Sequence, residues 1–533
     1  MKHQTHRSAA TGAAVIAAAT SLAALHPALA QQQDCQPAFN SKSVVDPPQD
    51  DLRYGSQLAL DRETCVVGAR GSAFVMQRGN ASWAPPVELI PDQPDLYGFG
   101  LGVAIENDWI VVGATAANSS GAACFFRYDQ PSNQWHHHST VFPSNARRDA
   151  QVGFAVAISG DNAVIGAPEI IRNGFGQAWT YHFNGSQWVE QQTLQPSDHQ
   201  SHDHFGGAVA IDGDVLAVAS QNKDNTGQTW EDGMGAVYLF RWNDAAQQWQ
   251  EEAFLTSNDP IEGERDRFGF ALDLQDQTLL VGTNPVSYSH NPAGSAYIHR
   301  YDGHTWPYEA KLTASDGSGA DRFGAAVALD SGLALVGAWG VWSTGDECPF
   351  PQICDAGAAY LYKRDGTRWS EQAIFTSHDI AQHDAFGWDV ELWRTSALAA
   401  SFADDDGARD TGAVYGYDFA NGDGNCLPPT LRIDTDCPNA KAATITWDAT
   451  TPGGRVALVY SPSPGTHTVP NAFPCAGTRI DLNPNGLRLA LTADSDPNGA
   501  GSIHVNIPNP ACGGQLQLID LTNCAISNLA TIR

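Results

Sequence analysis

A short pattern of apolar and polar residues recurs seven times between residues 53 and 420. Each copy has an aromatic residue or valine, a glycine, an alternating apolar run, a short polar break and a second apolar run. In the copy that begins at Phe205, these runs are GGAVAID and VLAVAS, followed by GAVYLFRW and QEEAFL. Apolar runs of about four to eight residues bounded by Gly, Asp and Asn are typical of β-strands. The unit therefore predicts four strands and no helix.

The spacing of the copies predicts how these strands assemble. The glycines of the repeat are Gly55, Gly100, Gly153, Gly206, Gly269, Gly324 and Gly387, so the period runs from 45 residues (55 to 100) to 63 (206 to 269). A period near about 50 is typical of propellers and solenoids. Asn-Gly and Asp-Gly in FNGSQW, YDGHTW and RDGTRW favour tight hairpins between the third and fourth strands. Small antiparallel sheets that cover one another predict an all-β, seven-bladed β-propeller.

The two ends of the repeat region predict how the ring closes. The last unit has three strands, and after Phe419 the chain enters NGDGNCLPP without a fourth. The run SKSVV at residues 41–45 stands where a fourth strand precedes the next repeat. We expect it to complete the last blade, which removes a free edge. A tryptophan begins the fourth strand in six units, and we expect these side chains to pack between blades: Trp83, Trp135, Trp188, Trp249, Trp306 and Trp369.

Composition divides the rest of the chain. Residues 1–30 are typical of a signal peptide, because Lys2 and Arg7 precede AAVIAAATSLAAL and an A-x-A site ends at Ala30. We expect export to the extracellular space or periplasm and no membrane span. The propeller is predicted for residues 31–420, with a linker at 421–430. Residues 431–533 contain TITWDAT, RVALVYS, TRIDL, LRLALTA, SIHVNIP and LQLIDL, which predict a small β-sandwich-like domain.

The chain has 10 cysteines, and in an exported protein these favour disulfides. Cys437, Cys475, Cys512 and Cys524 lie in the C-terminal domain and Cys426 lies in the linker before it, and we expect cysteines of this region to staple the domain. Cys348 and Cys354 bracket PFPQI, and this spacing predicts a local disulfide. Spacing alone does not pair Cys35, Cys65 or Cys124.

The phenylalanine-glycine pair and the later VGA or IGAP of each copy resemble the FG-GAP repeat family, whose propeller also forms the head of integrin α chains. The resemblance covers roughly residues 41–420 and implies the propeller fold. Integrin-type repeats often carry a calcium loop, D-x-D-x-D-G-x-x-D, between the two motifs. Here that connection is a tight turn such as IDGDV, where Asp212 and Asp214 alone cannot supply the six to eight oxygens of calcium. Calcium stays an open alternative although the usual FG-GAP calcium loop is absent, and no other cofactor is implied. The C-terminal pieces VALVYS, PCAGT and ACGGQLQLIDLTNC resemble a module of secreted bacterial repeat proteins.

The formal charge of −30 becomes −32 when Lys2 and Arg7 are removed with the signal peptide. A chain this acidic repels phosphate backbones and anionic lipids, so nucleic acids and membranes are unfavourable partners. An extracellular protein, particularly a basic one, or a carbohydrate remains suitable. The oligomeric state is not predicted.

The sequence contains no G-x-S-x-G, HExxH, P-loop or dinucleotide motif. Acid pairs recur before the phenylalanine-glycine motif, and we expect them to cap turns, with metal ligation as the alternative: Asp198 and Asp203, Asp259 and Asp266, Asp316 and Asp321, Asp379 and Asp384. His199, His202 and His204 occur in one unit only and form an alternative metal site.

The long, variable segments connect second to third strands, so they share one face of the predicted ring. Their aromatic and acidic side chains suit a sugar or a basic protein; the ligand-binding candidates are Trp230, Tyr288, Trp339, Trp342, Asp346 and Asp355. The cluster DDDGARD supplies candidate metal ligands Asp404, Asp406 and Asp410. We therefore predict a secreted, non-enzymatic, adhesion-like binding protein. The alternative is a secreted hydrolase that uses carboxylates, with or without a metal, on the same face. Two or three acids that converge there with perturbed pKa values would favour the alternative.

Overall fold

The computed structural model describes most of the repeat region and the strands that follow it. The described residues are 37–79, 82–93, 95–170, 174–223, 233–257, 266–285, 293–318, 321–340, 356–379, 383–405, 408–419, 430–434, 442–448, 455–461, 464–468, 479–482, 488–494, 501–506, 515–521 and 530–531. Cys348, Cys354 and the predicted signal peptide lie outside them.

Within the described part of residues 37–419, the chain forms seven four-stranded antiparallel sheets, here numbered 1 to 7 in chain order. Their first strands are Gln57–Asp61, Phe99–Glu106, Ala155–Ser159, Phe205–Asp212, Leu272–Gln275, Ala326–Asp330 and Val390–Trp393. Their second strands are Thr64–Ala69, Trp109–Ala114, Asn162–Ala167, Val215–Ser220, Thr278–Gly282, Leu333–Ala338 and Ser396–Ser401.

The outer half of each sheet follows the same order. The third strands are Ser72–Gln77, Ala122–Asp129, Gln177–Phe183, Ala236–Asn243, Ala296–Arg300, Ala358–Asp365 and Ala413–Phe419. The fourth strands of sheets 1 to 6 are Val87–Glu88, Gln134–Val141, Trp188–Leu194, Gln248–Leu255, Tyr308–Leu312 and Arg368–Phe375. A short 3-10 helix at Ala117–Ser119 precedes the third strand of sheet 2.

Sheet 7 takes its fourth strand from the N-terminal part of the chain. Pro37–Ser43 pairs antiparallel with Ala413–Phe419, with Pro37 opposite Phe419 and Ser43 opposite Val414. The strand thus begins four residues before the expected run at 41–45 and ends two residues before it does, ahead of two prolines that lack an N–H for a ladder. Lys42 on this strand forms ion pairs with Asp379 at 2.7 Å and Asp404 at 2.8 Å.

The first strands place the sheets around a common axis. Each first strand contacts the first strand of the next sheet, and the first strand of sheet 7 contacts that of sheet 1. The second strands are almost wholly buried, since sheets cover them on both faces. This cycle of contacts is the arrangement of a β-propeller.

Two glycines explain why the motif recurs. Gly153, which follows the motif's first residue in sheet 3, has φ +85°, a left-handed conformation that favours glycine. Gly113 in the second strand of sheet 2 faces it, and a Cβ on Gly113 would collide with the Gly153 carbonyl. The two glycines therefore let neighbouring sheets approach backbone to backbone.

The tryptophans that begin fourth strands pack as expected. Trp188 in sheet 3 is buried and stacks on Phe125 of sheet 2, with ring centroids 4.3 Å apart. Trp249 and Trp306 are buried in the apolar clusters that join sheets 3 and 4 and sheets 4 and 5. A large indole at this position fills the widening gap between the outer parts of two sheets.

The C-terminal region is also composed of strands. Its described strands are Thr430–Asp434, Ala442–Asp448, Arg455–Ser461, Pro464–Thr468, Arg479–Leu482, Arg488–Asp494, Gly501–Asn506, Gln515–Asp520 and Ala530–Thr531. The six segments named from the sequence all contain strands, and Thr430–Asp434, Pro464–Thr468 and Ala530–Thr531 are further strands. The first begins at Thr430, inside the predicted linker. The sandwich and its cysteine staples stay predictions.

Two cysteines do not follow the expectation of disulfides. Cys65 and Cys124 are fully buried, unpaired and placed on the second strand of sheet 1 and the third strand of sheet 2. Both lie in apolar clusters, where a thiol packs as a small apolar side chain.

Candidate functional site

A cavity of about 1360 Å³ runs along the axis of the ring and is lined by the first strands of all seven sheets. The turns between first and second strands surround one end, here called the hairpin end. The residues that follow the motif glycine surround the other, here called the loop end. The side chains at the two ends have different partners.

At the hairpin end, polar side chains bind backbone groups of the next sheet. The last residue of a first strand accepts a hydrogen bond from a turn N–H of the following sheet; the pairs are Asp61–Asn107, Glu106–Gly160, Ser159–Gly213, Asp212–Asp276 and Asp330–Arg394, with Gln275–Ser331 in the same role. In sheet 7 this position is Trp393, which has no acceptor. Six of the seven junctions therefore use this link, and the acids at this end are structural.

Asp212, one of the two acids in the turn where the calcium loop of the family would lie, has a structural partner. Its carboxylate accepts the N–H of Asp276 at 2.8 Å, so it holds the turn of the next sheet. Among the described residues, no group of three or more His, Cys, Asp or Glu side chains is placed to hold a metal ion.

Two aspartates deeper in the cavity also join neighbouring sheets. Asp273 accepts hydrogen bonds from the N–H of Leu329, in sheet 6, at 2.6 Å and of Leu274 at 2.7 Å. Asp389 accepts them from Leu58, in sheet 1, at 2.6 Å and from Val390 at 3.0 Å. Burial raises the pKa of each carboxyl to about 7, against the effect of these donors.

Glu391 is the third carboxyl in this part of the cavity. Burial, followed by the charges of Asp273 and Asp389, raises its pKa well above the ordinary value. A raised pKa in a cavity is typical of catalytic acids, but it also follows from a buried group near like charges. The feature that would favour a hydrolase is therefore present, although two of the three carboxyls have structural partners.

The loop end is surrounded by side chains of very different size. The residues that follow the motif glycines all line the cavity: Ser56, Leu101, Phe154, Gly207, Phe270, Ala325 and Trp388. These side chains border the opening of the cavity. The largest of them lies in sheet 7, next to the junction with sheet 1.

An aromatic group stands where sheets 6 and 7 join, formed by Trp339, Trp388 and Phe402 and here called the mouth cluster. The ring centroids of Trp339 and Trp388 are 5.2 Å apart, and those of Trp388 and Phe402 are 4.3 Å apart. All three side chains are half-buried and line the cavity. The Trp388 indole N–H donates to the Ser56 carbonyl of sheet 1 at 3.1 Å, which fixes the orientation of the ring.

Two arginines contact the mouth cluster. The Arg53 guanidinium lies 5.6 Å from the centre of the Phe402 ring, and that of Arg322 lies 4.3 Å from the centre of the Trp339 ring. Arg322 also donates to the Asn284 side chain at 3.3 Å. The described part of this face is therefore basic and aromatic at the cavity opening, not uniformly acidic.

The structure describes three of the predicted site residues. Trp339 belongs to the mouth cluster. Asp404 is buried, pairs with Lys42 and accepts the Tyr415 hydroxyl at 2.6 Å. The carbonyl of Asp410 accepts the N–H of Arg53 at 3.0 Å. The other six lie outside the described residues: Trp230, Tyr288, Trp342, Asp346, Asp355 and Asp406.

The acid pairs before the repeat motif have two structural roles. The second acid holds the turn as predicted: Asp203 accepts the Gln200 N–H at 2.7 Å, and Asp321 accepts the Ser318 N–H at 2.5 Å. The first acid accepts a tyrosine hydroxyl from the third strand of the same sheet; these pairs are Asp198–Tyr238, Asp316–Tyr360 and Asp379–Tyr415.

The histidines of the fourth unit do not gather into a metal site among the described residues. Burial, with His202 and Arg267 nearby, lowers the pKa of His204 to about 4. His199 instead contacts the Pro196 carbonyl at 3.2 Å and the ring of Phe175.

Sequence reasoning did not single out Trp388 or Phe402. The signal that was present is the variable position after the motif glycine, where FGW of the seventh copy has the largest side chain. That this residue meets Trp339 and Phe402 depends on the junction between sheets, which the local pattern does not encode.

Three segments of the chain match the family model described as FG-GAP repeat, at residues 188–240, 306–362 and 369–417. The chain contains FG-GAP repeats. Each matched segment begins at the tryptophan near the start of a fourth strand and ends in the third strand of the following sheet. The FG-GAP unit is thus offset by one strand from the sheet, so each repeat joins two sheets. No curated protein matches this FG-GAP chain. None of its described segments forms a helix with the length and apolar character that a bilayer span requires.

Proposed function

We propose that this FG-GAP protein is a secreted, seven-bladed β-propeller that binds an extracellular protein or a carbohydrate without catalysis. Residues 1–30 would direct export, and the loop end would carry the recognition surface. FG-GAP propellers are commonly adhesion-like, which agrees with this role. The observation that carries the proposal is the mouth cluster, because its rings line the opening of the cavity instead of filling the core between sheets.

The acids of the cavity support binding more than hydrolysis. A glycosidase-type mechanism needs two carboxyls that are free to exchange protons or attack substrate. Both oxygens of Asp273 and of Asp389 accept backbone N–H groups, so these two side chains are engaged in joining sheets. Glu391 alone does not make an acid/base pair. The hydrolase remains the alternative, and the raised pKa of Glu391 is the observation that favours it.

The test is a binding screen of the full mature chain against glycans and extracellular proteins, with and without a chelator. We expect a ligand whose binding falls by more than about 1 kcal/mol in Trp339→Ala, as for loss of an aromatic anchor. The same loss is expected for Trp230→Ala with Trp342→Ala.

The matched control changes acids in hairpins on the opposite side. Asp302 follows the third strand of sheet 5 and Asp365 ends the third strand of sheet 6, and Asp302→Asn with Asp365→Asn should leave affinity unchanged. A ligand whose binding is lost in this control and kept in Trp339→Ala would contradict the proposal, because the binding site would then lie on the hairpin side. Release of sugar products that depends on Glu391 would establish the hydrolase.

A further inference from the structure

We propose that the loop-end opening between sheets 6, 7 and 1 binds a sugar that carries a carboxylate, such as a hexuronic acid residue. This inference rests on the proposed binding function and names its ligand class. The mouth cluster would receive the sugar ring, Arg53 its carboxylate and the cavity acids its hydroxyl groups.

The aromatic surface of the opening suits a sugar ring. Binding sites for small polar molecules combine aromatic walls with a few placed polar groups. Trp388 is held in one orientation by the hydrogen bond to Ser56 and by contact with Phe402, so little conformational entropy is lost when a ligand packs on it. Trp339 meets Trp388 at an interplanar angle of 50°, which gives the opening two differently inclined aromatic faces.

The charge of Arg53 favours a ligand that carries a carboxylate. This side chain is exposed, and among the described residues no carboxylate lies within ion-pair distance of it. Arg70, which also lines the cavity, is in the same situation. Elsewhere arginines of this acidic chain have acidic partners; examples are Arg78–Asp418, Arg241–Glu252 and Arg364–Glu309. A guanidinium stacked on a ring keeps its planar edge available for a carboxylate, which it binds through two parallel hydrogen bonds.

The acids below the opening favour a sugar over an acidic peptide. Beyond the opening, the cavity is lined by Asp389 and Glu391. Each Asp389 oxygen keeps a second lone pair that can accept a hydroxyl hydrogen bond, and the protonated Glu391 carboxyl can donate one to a hydroxyl oxygen. Additional ligand carboxylates beside these buried acids would be unfavourable. A ligand with one carboxylate at the rim and several hydroxyls below it satisfies both parts of the site. A peptide with several acidic side chains satisfies only the rim.

The test measures calorimetric binding of D-glucuronate, D-glucose and a tetraglutamate peptide to the full mature chain. We expect glucuronate to bind at least about tenfold more tightly than glucose, and binding to weaken with salt because a charge pair contributes. Arg53→Gln should reduce glucuronate affinity to that of glucose. Trp388→Ala should weaken both sugars, and Trp388→Phe should restore them in part, which separates loss of the ring face from loss of the fold.

Arg62→Gln is the matched control. Arg62 also lines the cavity and belongs to sheet 1, but it lies at the hairpin end, where it donates to Asn107 at 3.0 Å. The Arg62→Gln variant should bind D-glucuronate with the same affinity as the parent protein. Equal affinity for glucose and glucuronate, preference for the peptide, no binding of either sugar, or an equal effect of Arg62→Gln would overturn the inference. If the screen finds another ligand that needs Trp339 but not Arg53, the proposed binding function stands and this inference falls; if no ligand is found, both fall.

Discussion

The two ends of the central cavity are surrounded by the same seven strands but use their side chains differently. At the hairpin end, Asp61, Asp212 and Asp330 each hold a backbone N–H of the next sheet. At the loop end, Arg53 and Trp388 face the opening. Acidic residues are abundant in this chain, and at the described hairpin end they serve architecture. The comparison teaches that the number of charged groups at an opening does not locate a binding site; an exposed charge such as Arg53, with no acidic partner among the described residues, is more informative.

The largest expected effect on stability comes from deleting residues 37–43. Both ends of the cavity depend on the junction of sheets 7 and 1, and these residues form the fourth strand of sheet 7. Without this strand, the edge of Ala413–Phe419 is unpaired and Lys42 no longer neutralises Asp404. We expect a loss of more than about 4 kcal/mol in the free energy of unfolding, beyond most point substitutions. Denaturant unfolding followed by tryptophan fluorescence measures it. A chain that ends at residue 420 should lose less; an unchanged midpoint after the strand deletion would contradict closure.

The next largest effect on stability tests whether the hairpin end and the loop end of the cavity have separate roles. Asp330→Ala removes an acceptor for the Arg394 N–H and for the side chains of Ser331 and Gln275. We expect a destabilisation of about 1–3 kcal/mol, because a buried donor is left without a partner, and no change in ligand affinity. Asp365→Ala, an exposed change in the same sheet, is the control for stability. A large loss of affinity in Asp330→Ala would mean that the hairpin end takes part in binding.

A smaller effect depends on pH. Because the pKa of Glu391 is raised, the folded protein holds a proton that the unfolded chain releases near about pH 4. The stability that this proton contributes is complete at low pH and is lost as pH rises toward the folded pKa. Glu391→Gln stays neutral, so its melting temperature should match the parent at about pH 4 and exceed it at about pH 8. A constant difference across this range would show that Glu391 is not protonated in the folded state.

The smallest effect on stability is expected from the predicted Cys348–Cys354 disulfide, in a segment outside the described residues. A bridge that closes so short a loop constrains the unfolded chain little. Reduction of this disulfide should change the free energy of unfolding by less than about 2 kcal/mol. The free energy of ligand binding should change by a larger amount. Peptide mapping without reductant checks the pair first; either cysteine found free or paired elsewhere would remove the basis of this prediction.

The sequence by itself determined the strands and the reason for their repetition. Alternating apolar runs and Gly-Asp turns are local signals, and the seven recurring glycines mark where neighbouring sheets touch. The missing fourth strand after Phe419 and the unmatched run at residue 41 were enough to expect the N-terminal strand beside Ala413–Phe419, with an error of a few residues at each end.

Only the tertiary structure decided which polar groups have partners. Asp212 and Asp330 are ordinary turn acids in the sequence, and their bonds to the next sheet depend on the angle between sheets. Asp404 was expected among metal ligands, but the structure places it against Lys42, more than 350 residues away in the chain. Trp339, Trp388 and Phe402 likewise come from two repeats and meet only where sheets 6 and 7 join. Repetition encodes the scaffold locally, whereas a site formed across a junction depends on contacts that no single repeat contains.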